Sequence, residues 1–598
     1  MAPQTQPSLA IQAMDLTTLR AVLAELRPLL VPSRFEKAQQ PNPHTLQLGL
    51  RGLSGLRWLE ISWLAAAPRL LAIPPPPRQG EGSTLARVLQ HGLGGLALVA
   101  IEQEGFERVV DLHFAPRPGE PSGRRLVVEL MGRHSNVFLL DDQGRVVSLA
   151  RQVREQHSRL RPITSGSFYG RPPALQSDPP SMNESQEHWR RRLQLVPVTL
   201  RQALQQTYQG ISPALALQLA AGAQEPAPEL LARRVDTLSQ VHWDQLWEHW
   251  QLWLRDLEQE RFGWDVDDAG TGSSHYRCWG TTTSGPVNAP LTAYYHQRLG
   301  QGELQRRRAS LELKLLAARE REDRQRQQQQ DLLDQVESGD ELSREADALL
   351  CLAAPSREQV AAAQALYKRA RRLRRSVVSI TPRLELHQRQ LERLDASLAF
   401  LAMHSLELRA GPGNGPQARD LEEALRQLEA LEQESEELLA RGGAEGRQPR
   451  RRAPPRSAAA GTPSPLELLT PGGLQVQVGR NHRQNEWISL RQARRGDLWF
   501  HAQECPGSHV MLKASAAEAA EADLQLAADL AAHFSRARHN GRVAVLKVPS
   551  DQLQRIAGAV AGTVTHRGGE VVWASPQRAA HWLAAAESVP KVPAEPGP

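Results

Sequence analysis

An α+β fold divided among several domains is predicted, and three observations carry the prediction. Short runs alternating apolar and polar residues fill the first 165 positions, as strands with one buried face require. Leucines then repeat at seven-residue spacing through a Leu-, Ala-, Glu-, Gln- and Arg-rich middle. Five further strand-like runs surround one Ala-rich helix near the C-terminus, and 598 residues are too many for a single core.

The first element is a helix. Asp15 is placed to cap it, and Leu19, Val22, Leu23, Leu26, Leu29 and Leu30 recur at steps of three and four. The runs "HTLQLGL", "RWLEISWL", "LALVAIEQ", "RVVDLHF", "RLVVELM" and "NVFLLDD" then read as strands of a mixed sheet occupying residues 1–170. Pro172, Pro173, Pro179 and Pro180 mark its boundary. Residues 171–300 read as a helical region, in which the "GISP" turn at 210–213 reads as part of a helix–hairpin–helix-like unit or as an ordinary helix start.

Residues 301–440 read as coiled-coil arms. Leu384, Leu391 and Leu398 form one heptad series, and Leu394, Leu401 and Leu408 the other. Residues 303–350 are positioned to supply the antiparallel partner. The stretch 441–465 lacks apolar periodicity and reads as a disordered basic linker, and 586–598 as a tail. Between them, residues 466–585 form the last domain, with strands "LQVQVG", "DLWFHA", "HVMLK", "RVAVLKV" and "GEVVWAS" and a helix over 515–537.

Composition narrows the function. A net charge of +6 and a pI near 9.4 favour polyanionic partners. Nearly all the basic residues are Arg, whose fork and flat face suit phosphates and bases, although base composition of the gene gives Arg richness too. The three cysteines, Cys278, Cys351 and Cys505, are far apart, so neither a disulfide framework nor a cysteine zinc site is expected. The start shows no secretory signal and no window resembles a membrane span, which points to a reduced, cytoplasmic protein with no membrane partner.

Three constellations bear on chemistry. "VGRNHRQNEW" (478–487) and "DLWFHAQECPGSHVMLK" (497–513) crowd Arg480, Asn481, Gln484, Asn485, Trp499, His501, Ser508 and His509 together. Forks, rings and imidazoles grip polar, planar ligands. The eight-residue interval between His501 and His509 fits no standard metal pattern, so no metal or cofactor is expected. The second lies on the N-terminal sheet, where Glu107 and Arg108 open one strand. Glu129, Leu130 and Met131 close another before a turn carrying Arg133, His134 and Asn136. This polar rim suits backbone recognition of folded RNA, and a solvated hairpin is the plain alternative. The third is "YKRARRLRRS" (367–376), where Lys368, Arg369, Arg371, Arg372, Arg374 and Arg375 come almost without acidic neighbours, a phosphate-binding run or a solvated helix face. No catalytic motif appears.

With "GFERVV", "ELMGRHSNVFLLD", "LYKRARRLRRS", "VGRNHRQNEW", "DLWFHAQECPGSHVMLK" and "DLAAHFSRAR" in this order, the chain resembles the NFACT family from about residue 11 to 580. That family includes the RqcH-like and NEMF-like ribosome quality control factors and carries the older label fibronectin-binding protein A-like. The resemblance implies an NFACT-N domain at the start and an NFACT-R RNA-binding domain at the end. It implies a non-catalytic factor that binds the large (50S) ribosomal subunit obstructed by peptidyl-tRNA, contacting rRNA. Such a factor recruits charged tRNA, in bacteria alanine tRNA, and the stalled chain gains a C-terminal alanine tail that marks it for degradation; peptide transfer belongs to the ribosome.

Carried over by position, the family's Asp-Arg pair for tRNA falls on Glu107 and Arg108, with Glu in place of Asp. Its Glu-Ile/Leu-Met motif falls on Glu129, Leu130 and Met131. The coiled-coil arms imply rRNA contact, and the link from Cys351 to Ser376 is too short for the small β-rich insert many members carry there. Two rivals remain: a surface adhesin for fibronectin, which the lack of signal and anchor opposes, and a glycosylase-like enzyme, which the lack of a Pro at position 2 opposes.

Overall fold

In the computed structural model of the protein, the described residues are 11–79, 82–153, 161–173, 177–222, 225–267, 275–281, 284–352, 356–403, 418–441, 463–556 and 562–587. The expected linker and tail, and Leu408, lie almost entirely or wholly outside them. The chain divides into two compact units, Met1–Leu299 and Gly300–Pro598.

In the first unit, helix α1 (Leu16–Leu30) starts where Asp15 Oδ1 accepts from the Thr18 amide at 2.9 Å, and it ends before Pro32. Leu19, Val22, Leu23, Leu26 and Leu30 are buried, as the spacing predicts. Each such side chain contributes about 1.5–3 kcal/mol. The strands are β1 (Ser33–Asn42), β2 (Thr45–Gly52), β3 (Gly55–Ser62), β4 (Arg69–Ile73), β5 (Ala97–Gln103), β6 (Val109–Ala115), β7 (Arg124–Glu129), β8 (Asn136–Leu140) and β9 (Val146–Leu149). They form one sheet ordered β4-β3-β2-β1-β5-β6-β7-β8-β9, two meanders joined through β1 and β5, with helix α2 (Thr84–Gly92) in the crossover.

Every pairing is antiparallel, which corrects the expectation of a mixed sheet. The physical reason is that tight turns join successive strands, and a parallel pair would need a long crossover each time. The sequence pattern misses strand β1, "SRFEKAQQPN", because Glu36, Lys37 and two Gln interrupt its alternation.

Helices α3 (Gln186–Leu193), α4 (Leu200–Thr207), α5 (Pro213–Leu219), α6 (Ala227–Ala232) and α7 (Gln240–Glu258) follow, with a small hairpin of β10 (Asp265–Asp267) and β11 (His275–Arg277). The helical region shares one core with the sheet, and Trp189, Trp243, Trp250 and Trp253 are all buried in it. Ser212, in the "GISP" turn, caps α5 and donates to Asp15 Oδ2 at 2.8 Å, so the turn is tied to the start of α1.

Helix α8 (Asn288–Leu350) begins in the first unit, and the second is built on its remainder from Gly300 with α9 (Arg357–Met403) and α10 (Ala418–Arg441). Positions 363, 370, 391 and 394, 401 of α9 are buried and 377, 384, 398 and 366, 373, 387 half-buried, a seam at heptad spacing. Only residues 351–356 separate α8 from α9. At Gly300 a Cβ would lie 2.4 Å from the end of the Leu421 side chain, so a larger residue there requires Leu421 to move.

The last domain has strands β12 (Leu466–Leu469), β13 (Gln475–Val478), β14 (Leu498–Ala502), β15 (Val510–Leu512), β16 (Val543–Pro549), β17 (Leu553–Arg555), β18 (Val564–His566) and β19 (Glu570–Ala574). Its main sheet runs β12-β13-β15-β14-β16-β19, antiparallel throughout, and β17 and β18 pair separately. Helices α12 (Glu521–His533) and α13 (Pro576–Glu587) back one face. A short α11 (His482–Glu486), running into a π turn at Trp487–Arg491, lies over the other face.

Candidate nucleic-acid interface

The two N-terminal motifs meet at one end of the sheet. Val109 pairs with Glu129, and the Leu130 amide donates to Arg108 O at 3.0 Å, so strands β6 and β7 bring both together. Their side chains then part. Glu107 and Arg108 are half-buried, and Arg108 donates to Met14 O at 3.2 Å. Leu130 is fully buried, and Glu129 is 1% exposed.

The Glu129 carboxylate is clamped. Arg161 Nη1 reaches Oε2 at 3.0 Å and Nη2 reaches Oε1 at 2.5 Å, while Tyr169 Oη donates to Oε1 at 2.8 Å. Burial and this carboxylate push the Tyr169 phenol well above its ordinary value. Glu129 therefore anchors the segment 161–171 against the sheet, and neither Arg161 nor Tyr169 stands out in sequence.

Past Met131, which is half-buried, a turn at Gly132–His134 leaves Arg133 and His134 exposed, with Arg133 Nε donating to His134 Nε2 at 3.0 Å. Asn136 is buried and braces the turn, accepting from the Arg151 amide at 3.0 Å and donating to Arg151 O at 2.8 Å.

On α9, Lys368, Arg369, Arg371, Arg372, Arg374 and Arg375 are all exposed, since the seam takes up Ala370 and Leu373 instead. Among the described residues only Arg374 of the six is in an ion pair, with Asp340 at 2.6 Å. The run is a cationic face on a rigid helix.

The C-terminal constellation is arranged otherwise. Asn481, Gln484, Asn485, Trp499, Ser508 and His509 are buried, and His501 and Arg480 are half-buried. Asn481 caps α11 by accepting from the Gln484 amide at 2.8 Å, and Gln484 accepts from the Arg480 amide at 2.8 Å. Asn485 accepts from the His509 amide at 3.0 Å and donates to Gly507 O at 3.3 Å. A Cβ on Gly479 would lie 2.2 Å from the Asn485 carboxamide oxygen, so this close approach demands glycine. Ser489 Oγ lies 2.8 Å from His509 Nδ1, and Trp499 stacks on His501 at 5.5 Å.

The same motif docks the domain on the helices. Glu434 of α10 accepts from the amides of His482 and Arg483, each at 3.2 Å, and Arg480 pairs with Glu423 at 3.4 Å. His482 meets Phe400 edge-on at 5.3 Å. Asp395 of α9 joins Arg319 of α8 at 2.6 Å and Arg536 at 3.2 Å.

Burial pushes His482 down to about 4, with Arg393 acting in the same direction. Burial also lowers His501 to about 4, and His509 well below its ordinary value, aided by His501 and His482. These imidazoles are neutral at pH 7 and offer hydrogen bonds and ring faces, not positive charge. Among the described residues, no three His, Cys, Asp or Glu side chains group as a metal site, and no helix is long and apolar enough to cross a membrane. Cys278 is buried, and Cys351 and Cys505 are free thiols.

Comparison with known proteins agrees with the motif order. The family profile described as "NFACT N-terminal and middle domains" matches residues 15–360, and that described as "NFACT protein RNA binding domain" matches residues 468–568. A protein of Streptococcus suis named "Rqc2 homolog RqcH" is 24% identical over 586 residues, covering 93% of this chain and 97% of the relative. A protein of Bacillus subtilis with the same name is 22% identical over 591 residues, covering 92% and 96%. Among solved structures, the N-terminal part of the fibronectin/fibrinogen-binding protein of S. suis covers 47% of this chain and 98% of its own, at 22% identity and a TM-score of 0.36. The C-terminal part of that protein covers 46% and 95%, at 22% identity and a TM-score of 0.34.

Proposed function

The chain belongs to the NFACT family, and on that premise we propose that it is an RqcH-like component of ribosome-associated quality control. The observation that carries the reading is the match to proteins named RqcH across nearly the whole of both chains. In this reading the protein is a cytoplasmic, non-catalytic factor. It binds large ribosomal subunits obstructed by peptidyl-tRNA and brings alanine tRNA for C-terminal tailing of the stalled chain.

The division of labour follows from exposure. Glu107, Arg108, Arg133 and His134 form the tRNA-facing rim, where a phosphate or a 2′-hydroxyl is within reach. Glu129, Leu130, Met131 and Asn136 hold that rim in place from beneath. The Glu107 carboxylate, one methylene longer than the family's Asp, sets how far the rim extends. The exposed cations of α9 meet rRNA phosphates, and phosphate contact by Lys and Arg gives affinity without sequence preference. In the last domain Asn481, Gln484, Asn485, Trp499, Ser508 and His509 shape the RNA-binding surface by bracing it, with Arg480 and His501 nearer to solvent.

Co-sedimentation of the full chain with large subunits carrying peptidyl-tRNA, at low and high salt, tests the reading. Binding that weakens steeply with salt is expected, and absence of co-migration at every ionic strength sinks it.

A further inference from the structure

The outer face of the C-terminal sheet carries a feature the motifs above do not use. By strand alternation, Trp499 and His501 of β14, Ala544, Leu546 and Val548 of β16, and Val571 and Trp573 of β19 share that face, while Phe500, Val545, Val572 and Ala574 point to the helix-backed core. One end is covered. Trp499 and Val548 pack with Ile488, Trp487, Leu553 and Val564, and at Gly569 a Cβ would lie 3.0 Å from both Leu546 and Val548.

The other end is open. Trp573 is 52% exposed and Val571 45%, although both sit in a paired strand. The backbone of Trp573 is held in place: the residue pairs with Ala544, and Gln525 of α12 donates to Trp573 O at 3.0 Å. The Arg542 guanidinium carbon stands 4.7 Å from the centre of the ring. At this end Arg542 is itself exposed. The charged group against the ring is therefore a cation.

A half-exposed flat ring on a paired strand, with a guanidinium against it, matches one ligand chemistry: an aromatic plane attached to an anion. We propose that this face stacks an unpaired base of an RNA strand on Trp573, with Arg542 meeting the adjoining phosphate. The guanidinium selects nucleic acid over an apolar peptide, for which Arg542 offers nothing. Base faces inside a duplex are hidden by their neighbours, so the site selects single-stranded or splayed nucleotides, and it accepts any base because each has a π face. The inference deepens the proposed RNA-binding role of this domain and rests on it.

The test uses the full chain and a fluorescent ten-nucleotide oligouridylate, the same strand annealed to its complement, and large ribosomal subunits. Trp573→Ala is expected to weaken oligouridylate binding about 5- to 150-fold, the range that loss of one base stack gives, with unchanged thermal unfolding. Trp573→Phe is expected to restore most of the affinity, and duplex binding to be the same for all three proteins. Equal oligouridylate affinity for wild type and Trp573→Ala overturns the proposal, as does equal loss on strand and duplex. Loss of subunit binding by Trp573→Ala with unchanged oligouridylate affinity shows that the face meets the subunit without stacking an unpaired base and also overturns it. If wild type binds subunits but no oligouridylate, this inference fails alone; if it binds neither, the ribosomal reading fails as well.

Discussion

Arg161 and Glu129 form a two-pronged ion pair in the interior of the N-terminal sheet domain, at 2.5 and 3.0 Å, on a carboxylate that water does not reach. The acidic residue of the strand-end motif thus spends its charge inside the protein. Replacing Arg161 with Met would leave that charge buried and unpaired. A loss of about 3–5 kcal/mol is expected, measured by urea unfolding. Tyr169→Phe, which removes one of the hydrogen bonds, is expected to cost about 1.5–3 kcal/mol, since its acceptor is charged. Equal stability of Arg161→Met and wild type would show that the pair does not hold the segment down.

The rim residues are expected to behave in the opposite way. Arg133→Ala and His134→Ala leave the fold within about 0.5 kcal/mol, because both side chains are exposed. tRNA affinity, followed by fluorescence anisotropy across a salt series, is expected to fall for Arg133→Ala. The log–log slope becomes shallower by about 1, because one phosphate is no longer neutralised by the protein. An unchanged slope would remove Arg133 from the interface.

For the cationic face of α9, changing Arg369, Arg371, Arg372 and Arg375 together to Gln retains helix propensity and the buried seam. Helical circular dichroism is expected to stay constant while large-subunit binding weakens, most at low salt. Binding that survives intact would make the run a solvated surface.

Glu434 offers a separate handle on domain docking. Glu434→Ala removes the acceptor of two backbone amides at the start of α11, and a loss of about 1–3 kcal/mol is expected. Proteolysis at the junction of α10 and the last domain is expected to accelerate. Unchanged protease resistance would mean that Arg480–Glu423 and Arg536–Asp395 dock the domain without it.

The buried imidazoles make stability depend on pH. His482 and His501 have folded values near 4 against about 6.5 unfolded, so between those limits the unfolded chain binds more protons. Their contribution is complete above pH 6.5 and is lost as pH falls toward 4, at about 1.4 kcal/mol per pH unit for each ring that stays neutral. Urea titrations between pH 7.5 and 5 are expected to show this slope, and His501→Gln to flatten it. A slope untouched by His501→Gln would mean that this ring is solvated.

Much of this was legible in the sequence. Helix α1 with its Asp15 cap, the heptad seam and the alternating strands all follow from local spacing, because each has one buried face. Strand β1 was not, since its charged residues break the alternation. The C-terminal motif was legible as a constellation but not in its use. A crowd of Asn, Gln and Arg reads equally as a ligand grip or as a set of caps and braces. The spacing of Asn481 and Gln484, three apart at the start of a helix, was the available signal for the second. Arg161, Tyr169, Glu434 and Trp573 were invisible because their meaning depends on residues far away in the chain, or on which strand ends a sheet.

The short interval between α8 and α9 has a geometric outcome. Six residues separate the two helices, and the arginines of α9 sit at set heights along that helix. At 1.5 Å per residue, Lys368 and Arg375 lie about 16 and 27 Å from the start of α9. The arm is then a ruler: adding or deleting one heptad in both helices preserves the seam and slides every charge by about 10 Å, so the spacing of its anionic counterpart becomes measurable by length alone.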